Sequence, residues 1–351
     1  MKKKVFVLMS GGVDSSVAAA LLNLWGFDVV GIHLKISHFC KPEDEEDARQ
    51  VCELLNVPFY VFDITQDYQR LIALSMIRDY ACGYTPNPDI ECNRLIKFDL
   101  VFKKLSKIKF DYLATGHYAQ IIDGKLYAAK DTSKDQSYFL WRIKRSLLKK
   151  ILFPIGGYLK SEVRELAREL GLPNFAKKDS QGICFLGKVS LRDYLKQFLP
   201  VSQGPVYDVN KQLVGVHSGH YFFTEGQRHG LNLYKNGPFF VVSKKPEKNT
   251  LIVAQATDPE LYSKAISFNQ RNWLLNPVEL NNLSRGDKTF DCLVRVRYRQ
   301  PLVPAILDLT KNIAVFKQPI RAVALGQSAV FYQESGNQLL VLGGGVIKKR
   351  L

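Results

Sequence analysis

Apolar positions in the first half of the chain fall into short runs separated by stretches with helical spacing. VFVLM (5–9) precedes an amphipathic stretch over residues 14–25, DVVGIHL (28–34) precedes another over about 43–55, and PFYVFDI (58–64) runs into further helical pattern. DYLAT (111–115) is one more strand candidate. Strand and helix in alternation predict an α/β fold, a doubly wound parallel sheet covered on both faces. Ligands of such sheets bind at the carboxyl ends of the strands, which singles out residues 10–16 and 115–118. IIDGKLYAA (121–129) reads as a hairpin with an Asp-Gly turn, and SEVRELAREL (161–170) as a helix capped by Ser161 and stopped by Gly171.

Beyond Pro200 the period changes. GPVYDV, QLVGVH, FFVVSK, TLIVAQA, FDCLVRVRYR, IAVFK, SAVFYQ and LLVLGGGV are short stretches broken by Gly, Pro and Asn. This half reads as all-β, in two small modules divided near residues 258–265. The expected organisation is an α/β domain over 1–197, a small β-rich domain over 198–262 and a second β-rich domain over 263–351.

Composition and charge narrow the class. With 46% hydrophobic residues and no apolar run of about 18, nothing in the sequence is suited to spanning a bilayer as a helix. The start, MKKKVFVLM, has a basic end and an apolar stretch, but that stretch is short and runs straight into a glycine turn, so it reads as a strand and the protein as cytoplasmic. Lys and Arg number 49 against 33 Asp and Glu, a net charge of +16, which suits a polyanionic partner. Basic residues cluster in 101–150, in RVRYR (295–299) and in IKKR (347–350). The six cysteines, Cys40, Cys52, Cys82, Cys92, Cys184 and Cys292, form no CxxC pair, which argues against a disulfide scaffold or a zinc ribbon.

Candidate chemistry begins at MSGGVDSS (9–16). A strand, a tight turn of small residues and a helix start make an anion site, because unpaired backbone N–H groups converge there and the helix dipole favours negative charge. The Walker pattern GxxxxGK[ST] is absent, and so is its phosphate-binding lysine. Two further stretches carry thiols. TPNPDIECNRLIKF (85–98) places Asp89 three residues before Cys92, where a proline-containing loop passes into a helix, a setting that stabilises a thiolate and lets an acid move protons. KKDSQGICFLG (177–187) places Cys184 after two lysines.

SGGVDSS resembles the pyrophosphate loop of the ATP pyrophosphatases (the PP-loop, or adenine nucleotide alpha hydrolase-like, enzymes). That resemblance implies that Leu8, Met9, Ser10, Gly11, Gly12, Val13, Asp14 and Ser15 bind ATP. It also implies that Asp14 works with Mg²⁺, and that the backbone near Leu34 and Gly116 takes the adenine and ribose. Together with PNPDIECNRLIKF, ATGHYA, KDQSYFLWRI, FPIGGYLKSEVRELA, EGQRHGL, RVRYRQ and ALGQSAVFY, the chain resembles, over almost its full length, the tRNA-specific 2-thiouridylases of bacteria and organelles (the MnmA family).

The family resemblance implies a barrel-like last domain and, as substrate, the wobble uridine of the tRNAs for Lys, Glu and Gln. It implies ATP-driven adenylation of the C2 oxygen, a persulfide on Cys184, Cys92 as its partner and Asp89 as general acid/base. Asn87, Pro88 and Asp89 match base-contacting positions, and His117, Lys134, Asp135, Gln136, Arg297, Tyr298 and Gln327 match tRNA contacts. A cysteine desulfurase or a sulfur-relay protein is the implied sulfur donor. Tyr84 stands where the family often has Arg, and Leu325 where it usually has Pro, which puts one phosphate contact and one turn in question. Three other readings stay open. They are an iron–sulfur-dependent thiolase with Asp89, Cys92 and Cys184 as ligands, another adenylating ligase of the same loop class, and a non-catalytic RNA-binding protein.

Overall fold

The computed structural model describes residues 2–36, 42–178, 187, 189–233, 237–284 and 288–351. The N-terminal part runs β1 (Lys4–Leu8), α1 (Val13–Leu24), β2 (Asp28–Lys35), α2 (Pro42–Leu54) and β3 (Phe59–Asp63). A helical run follows, α3, in three consecutive segments (Thr65–Tyr68, Gln69–Ala73 and Leu74–Ala81). Next comes α4 (Pro88–Glu91, Cys92–Leu100 and Val101–Lys104), then β4 (Tyr112–Thr115), the hairpin β5 (Gln120–Ile122) and β6 (Lys125–Tyr127), β7 (Ile151–Leu152) and α5 (Lys160–Glu169).

β1, β2, β3, β4 and β7 form a parallel sheet in the order β3-β2-β1-β4-β7. Along β1 the side chains alternate between two cores. Val5 and Val7 pack with Val17 and Leu21 of α1, Val51 of α2 and Val163 of α5. Phe6 and Leu8 pack on the other face with Phe98 and Val101 of α4. Both faces are covered, as the alternation of elements predicts. Strand order reverses between β1 and β4, so a crevice opens beyond their carboxyl ends. Ser10 and Gly116 stand on its two sides.

The second half holds a five-stranded sheet built from residues 204–255 and a six-stranded antiparallel barrel closed by pairing of Tyr262–Trp273 with Gln338–Arg350. The Asp-Gly hairpin is present, with Asp123 and Gly124 both at positive φ (51° and 74°). Its second strand pairs with the barrel, Tyr127 opposite Leu340. Barrel residues Val330, Tyr332 and Val341 join the core shared by Phe6 and Leu8. No helix of the described residues is long and apolar enough to cross a membrane.

Several expectations are corrected. The helix expected to be capped by Ser161 is capped two residues earlier, at Leu159, and starts at Lys160, because Glu162 reaches back to the Leu159 N–H (2.5 Å). The strand expected through RVRYR ends at Arg295; Arg299 lies at φ +66°, in the left-handed region. Cys92 does not open its helix. Asn87 caps that helix by accepting the Ile90 N–H (3.3 Å), Pro88 takes the first position, and Cys92 follows one turn in.

Candidate active site

The turn after β1 is held by its own serines. Ser15 Oγ accepts the Ser10 N–H (3.1 Å) and donates to the Gly12 carbonyl (3.0 Å), which Ser16 Oγ also reaches (3.0 Å). Gly12 caps α1 without a side chain and its own N–H donates to Ser10 Oγ (3.4 Å), so no capping side chain takes up the N–H groups that follow it. Gly11 sits at φ +73° against the Asp44 backbone, where a Cβ would collide. Across the crevice Gly116 approaches so closely that a Cβ there would lie 2.6 Å from Asp14 C and Ser15 N. Met9 is buried, and its carbonyl accepts from His33 Nδ1 (2.9 Å). Leu34, at the end of β2, packs between two cores.

Asp14 points out of the first turn of α1 and accepts from Lys160 Nζ (2.7 Å) and Tyr118 Oη (3.0 Å). Lys160 is 9% exposed and comes from the start of α5. A second lysine, Lys177, donates to the Gly11 carbonyl (3.1 Å), to Asp44 (2.6 Å) and to Asp47. Burial disfavours its charge, but the bonds to Asp44 and Asp47 outweigh that and raise its pKa. The loop lacks a lysine of its own, yet the fold brings two cations to it. Sequence reasoning missed both, because each lies more than 140 residues downstream of the turn and neither stands in a phosphate-binding pattern.

One residue past Gly116, His117 is buried against Phe153. Lys97 Nζ, from α4, lies 3.5 Å from its Nε2, and Thr115 Oγ1 lies 2.6 Å from its Nδ1. An ammonium can only donate, so Nε2 accepts and Nδ1–H donates to Thr115. Burial, reinforced by the Lys97 charge, holds the imidazole well below its usual pKa, so the ring is neutral. His117 thus ties the helix that carries Cys92 to the strand end that packs on Asp14.

In α4 the segment Cys92–Leu100 is wound as a π-helix, a local widening common at functional sites. Cys92 is 5% exposed and packs with Tyr80, Ile96 and Tyr221. Asp89 is half-buried in the first turn. Burial raises its pKa above the ordinary 3.8, and Lys97 partly offsets this. The ionised form therefore penalises the fold above the raised pKa, and the penalty is absent once the group is protonated. Asp89→Asn is expected to raise the melting temperature at pH 8 and to lose that gain as the pH falls toward 4. Thermal unfolding at both values checks this; an equal shift at both would contradict it.

The remaining expected contacts divide. Arg297 is exposed, Lys134 is half-buried, and Tyr298 stacks obliquely on Phe139 (centroids 4.3 Å apart). Gln136 turns inward, its Oε1 accepting the Tyr118 N–H (2.9 Å), which steadies the ring that bonds Asp14. Asp135 is 5% exposed and accepts from Ala129 N, Ser137 N, Ser137 Oγ and Arg295 Nη1. Gln327 is also buried, and donates to the carbonyls of Thr85 (2.8 Å) and Pro86 (3.4 Å). In this structure Asp135 and Gln327 serve protein–protein contacts that brace the loops. Cys184 lies outside the described residues.

A parallel sheet with a glycine turn at its switch point, an acid in the first helical turn and two gathered lysines defines a nucleotide-binding α/β domain of the PP-loop class. Comparison with known proteins agrees over the full length. Residues 3–188 match the family described as tRNA methyl transferase HUP domain, 192–255 its PRC-barrel domain, and 263–347 the aminomethyltransferase beta-barrel domain. The tRNA-specific 2-thiouridylase MnmA of Chlamydia trachomatis serovar D is 40% identical over 365 residues, covering 99% of this chain and 98% of the relative. Those of Bacillus licheniformis (41%; 98% and 94% covered) and Idiomarina loihiensis (39%; 99% and 97%) are equally similar. The chain belongs to the tRNA-specific 2-thiouridylase family.

Proposed function

We propose that this protein uses ATP to replace the C2 oxygen of the wobble uridine by sulfur in the tRNAs for Lys, Glu and Gln. The observation that carries the reading is the His117–Lys97 contact. It joins the phosphate-type turn at Ser10–Asp14 to the helix bearing Asp89 and Cys92. Activation of an oxygen and delivery of sulfur need these two parts side by side; methyl transfer calls for neither.

In this reading the turn Gly11–Val13 binds the phosphates of ATP through its backbone, the Gly12 N–H exchanging from Ser10 Oγ, and Leu34 and Gly116 lie beside the nucleoside. The outward carboxylate of Asp14, paired with a lysine that can exchange to a phosphate, fits a divalent cation. Mg²⁺ bound there supplies charge neutralisation for the departing pyrophosphate. Transfer of AMP to O2 of the uridine turns that oxygen into a leaving group. The terminal sulfur of a Cys184 persulfide attacks C2, AMP departs, and Cys92 takes the Cys184 sulfur into a disulfide or first frees the outer sulfur as sulfide. Asp89, whose pKa burial raises, relays the proton.

A uridine inside a stacked anticodon must be flipped out to be reached, and this reading assigns Asn87, Pro88 and Asp89 to contact it. Lys134, Arg297 and Tyr298 supply backbone and stacking contacts to the RNA in this reading. Sulfur comes from a cysteine desulfurase or a relay protein, and the setting is the cytoplasm. The test is anaerobic incubation with a tRNA-Glu transcript, ATP, Mg²⁺, and a cysteine desulfurase supplied with cysteine as the sulfur source. Sulfur in the RNA with iron-free protein supports the persulfide route, and activity only after cluster reconstitution replaces it with the iron–sulfur reading.

A further inference from the structure

The motif EGQRHGL belongs to neither the nucleotide turn nor the cysteine helix, yet its glutamate is among the most deeply buried charges in the protein. Glu225 is 2% exposed and Lys244 8%. They face each other at 3.5 Å, and Thr85 Oγ1 sits between them, accepting from Lys244 Nζ (3.0 Å) and donating to Glu225 Oε2 (3.5 Å). Lys244 also donates to the Phe223 carbonyl (3.1 Å).

The other polar groups of Thr85 are taken by the barrel. Its N–H donates to the Leu325 carbonyl (2.7 Å), and its carbonyl accepts from Gln327. A single residue, two positions before the Asn87 cap, is therefore gripped on every polar atom by the two β modules. His220 of the central module adds a contact with the Ala81 carbonyl (3.1 Å) at the start of the same segment.

Stability alone does not explain a buried ion pair. Desolvation opposes it, and an apolar pair of equal volume generally folds as well. What a buried pair secures is register, since a displaced partner would leave a charge unmet. The register secured here is that of the turn leading into α4.

We propose that Lys244 and Glu225 are positioning residues for thiolation, a hydroxyl-bridged pair that fixes Thr85 and thereby sets the Asn87 cap, Asp89 and Cys92 against the nucleotide site. The central module thus takes part in the reaction without touching the reacting atoms. The proposal rests on the thiolation reading for its kinetic consequence, but not for its structural one.

The test compares Thr85→Val, Thr85→Ser and the double variant Lys244→Met/Glu225→Gln, which removes the pair without stranding a charge. Single-turnover thiolation is expected to fall at least about tenfold in Thr85→Val and in the double variant. The KM for ATP should stay unchanged, and Thr85→Ser should stay within about twofold of wild type. Hydrogen exchange of the amides of residues 87 and 89–92, measured without substrate, is expected to quicken in Thr85→Val while amides 10–16 keep their protection. That second reading does not depend on activity, so it tests the pair even if the wild type fails to thiolate RNA. Unchanged exchange at residues 87 and 89–92, or equal loosening of both segments, would overturn the proposal; so would a wild-type thiolation rate in Thr85→Val.

Discussion

Cys92→Ser is expected to lower sulfur incorporation into tRNA on the order of a thousandfold or more, because a hydroxyl can neither attack a persulfide nor close a disulfide. The same variant should keep ATP–pyrophosphate exchange within about twofold, since Cys92 lies on α4 and the nucleotide turn on α1. Its fold should persist, because oxygen replaces sulfur in a 5% exposed position with little change of volume. Gel shift of the thiolated tRNA against exchange of labelled pyrophosphate separates the two halves of the reaction. Parallel loss of both would show that Cys92 supports the structure rather than the sulfur step.

Asp14→Asn should instead lower both halves of the reaction together. Its carboxylate is the common acceptor for Lys160 and Tyr118 at the first turn of α1. Removing that charge removes the cation-binding group and leaves Lys160 with a neutral partner. Pyrophosphate exchange is expected to fall about 10²–10³-fold, the usual scale for losing one preorganised electrostatic group. Thiolation must fall with it, because no adenylate forms. An Asp14→Asn protein with wild-type exchange would place the cation elsewhere.

How much of this could be read from the sequence depended on distance along the chain. Residues 10–16 and 87–92 are local patterns, so the glycine turn, the helix after it and a helix near Cys92 were legible without coordinates, while the cap of that second helix at Asn87 was not. The parallel sheet was legible too, since β1, β2 and their helices repeat one period.

Long-range pairings were not. Lys160 and Lys177 reach the turn from beyond residue 150, and nothing in their neighbourhoods marks them as phosphate ligands. Residue type also failed to tell inward from outward. Asp135 and Gln327, polar residues in motif-like stretches, are spent inside the protein on Arg295, Ser137, Thr85 and Pro86. The alternation in FDCLVRVRYR continues past Arg295, but pairing stops there and Arg299 adopts a left-handed backbone. The bridge of Thr85 to Lys244 and Glu225 joins segments 140 and 159 residues apart, and only the folded chain reveals it.

The central claim is that the uridine oxygen is activated by transfer of AMP before sulfur arrives. The most direct measurement uses a tRNA-Glu transcript labelled with ¹⁸O at the C2 position of its uridines. After one round of thiolation with unlabelled ATP, mass spectrometry of the released nucleotide should find one ¹⁸O in the phosphate of AMP for each sulfur gained. Label recovered in water or in pyrophosphate, with unlabelled AMP, would contradict the adenylation account.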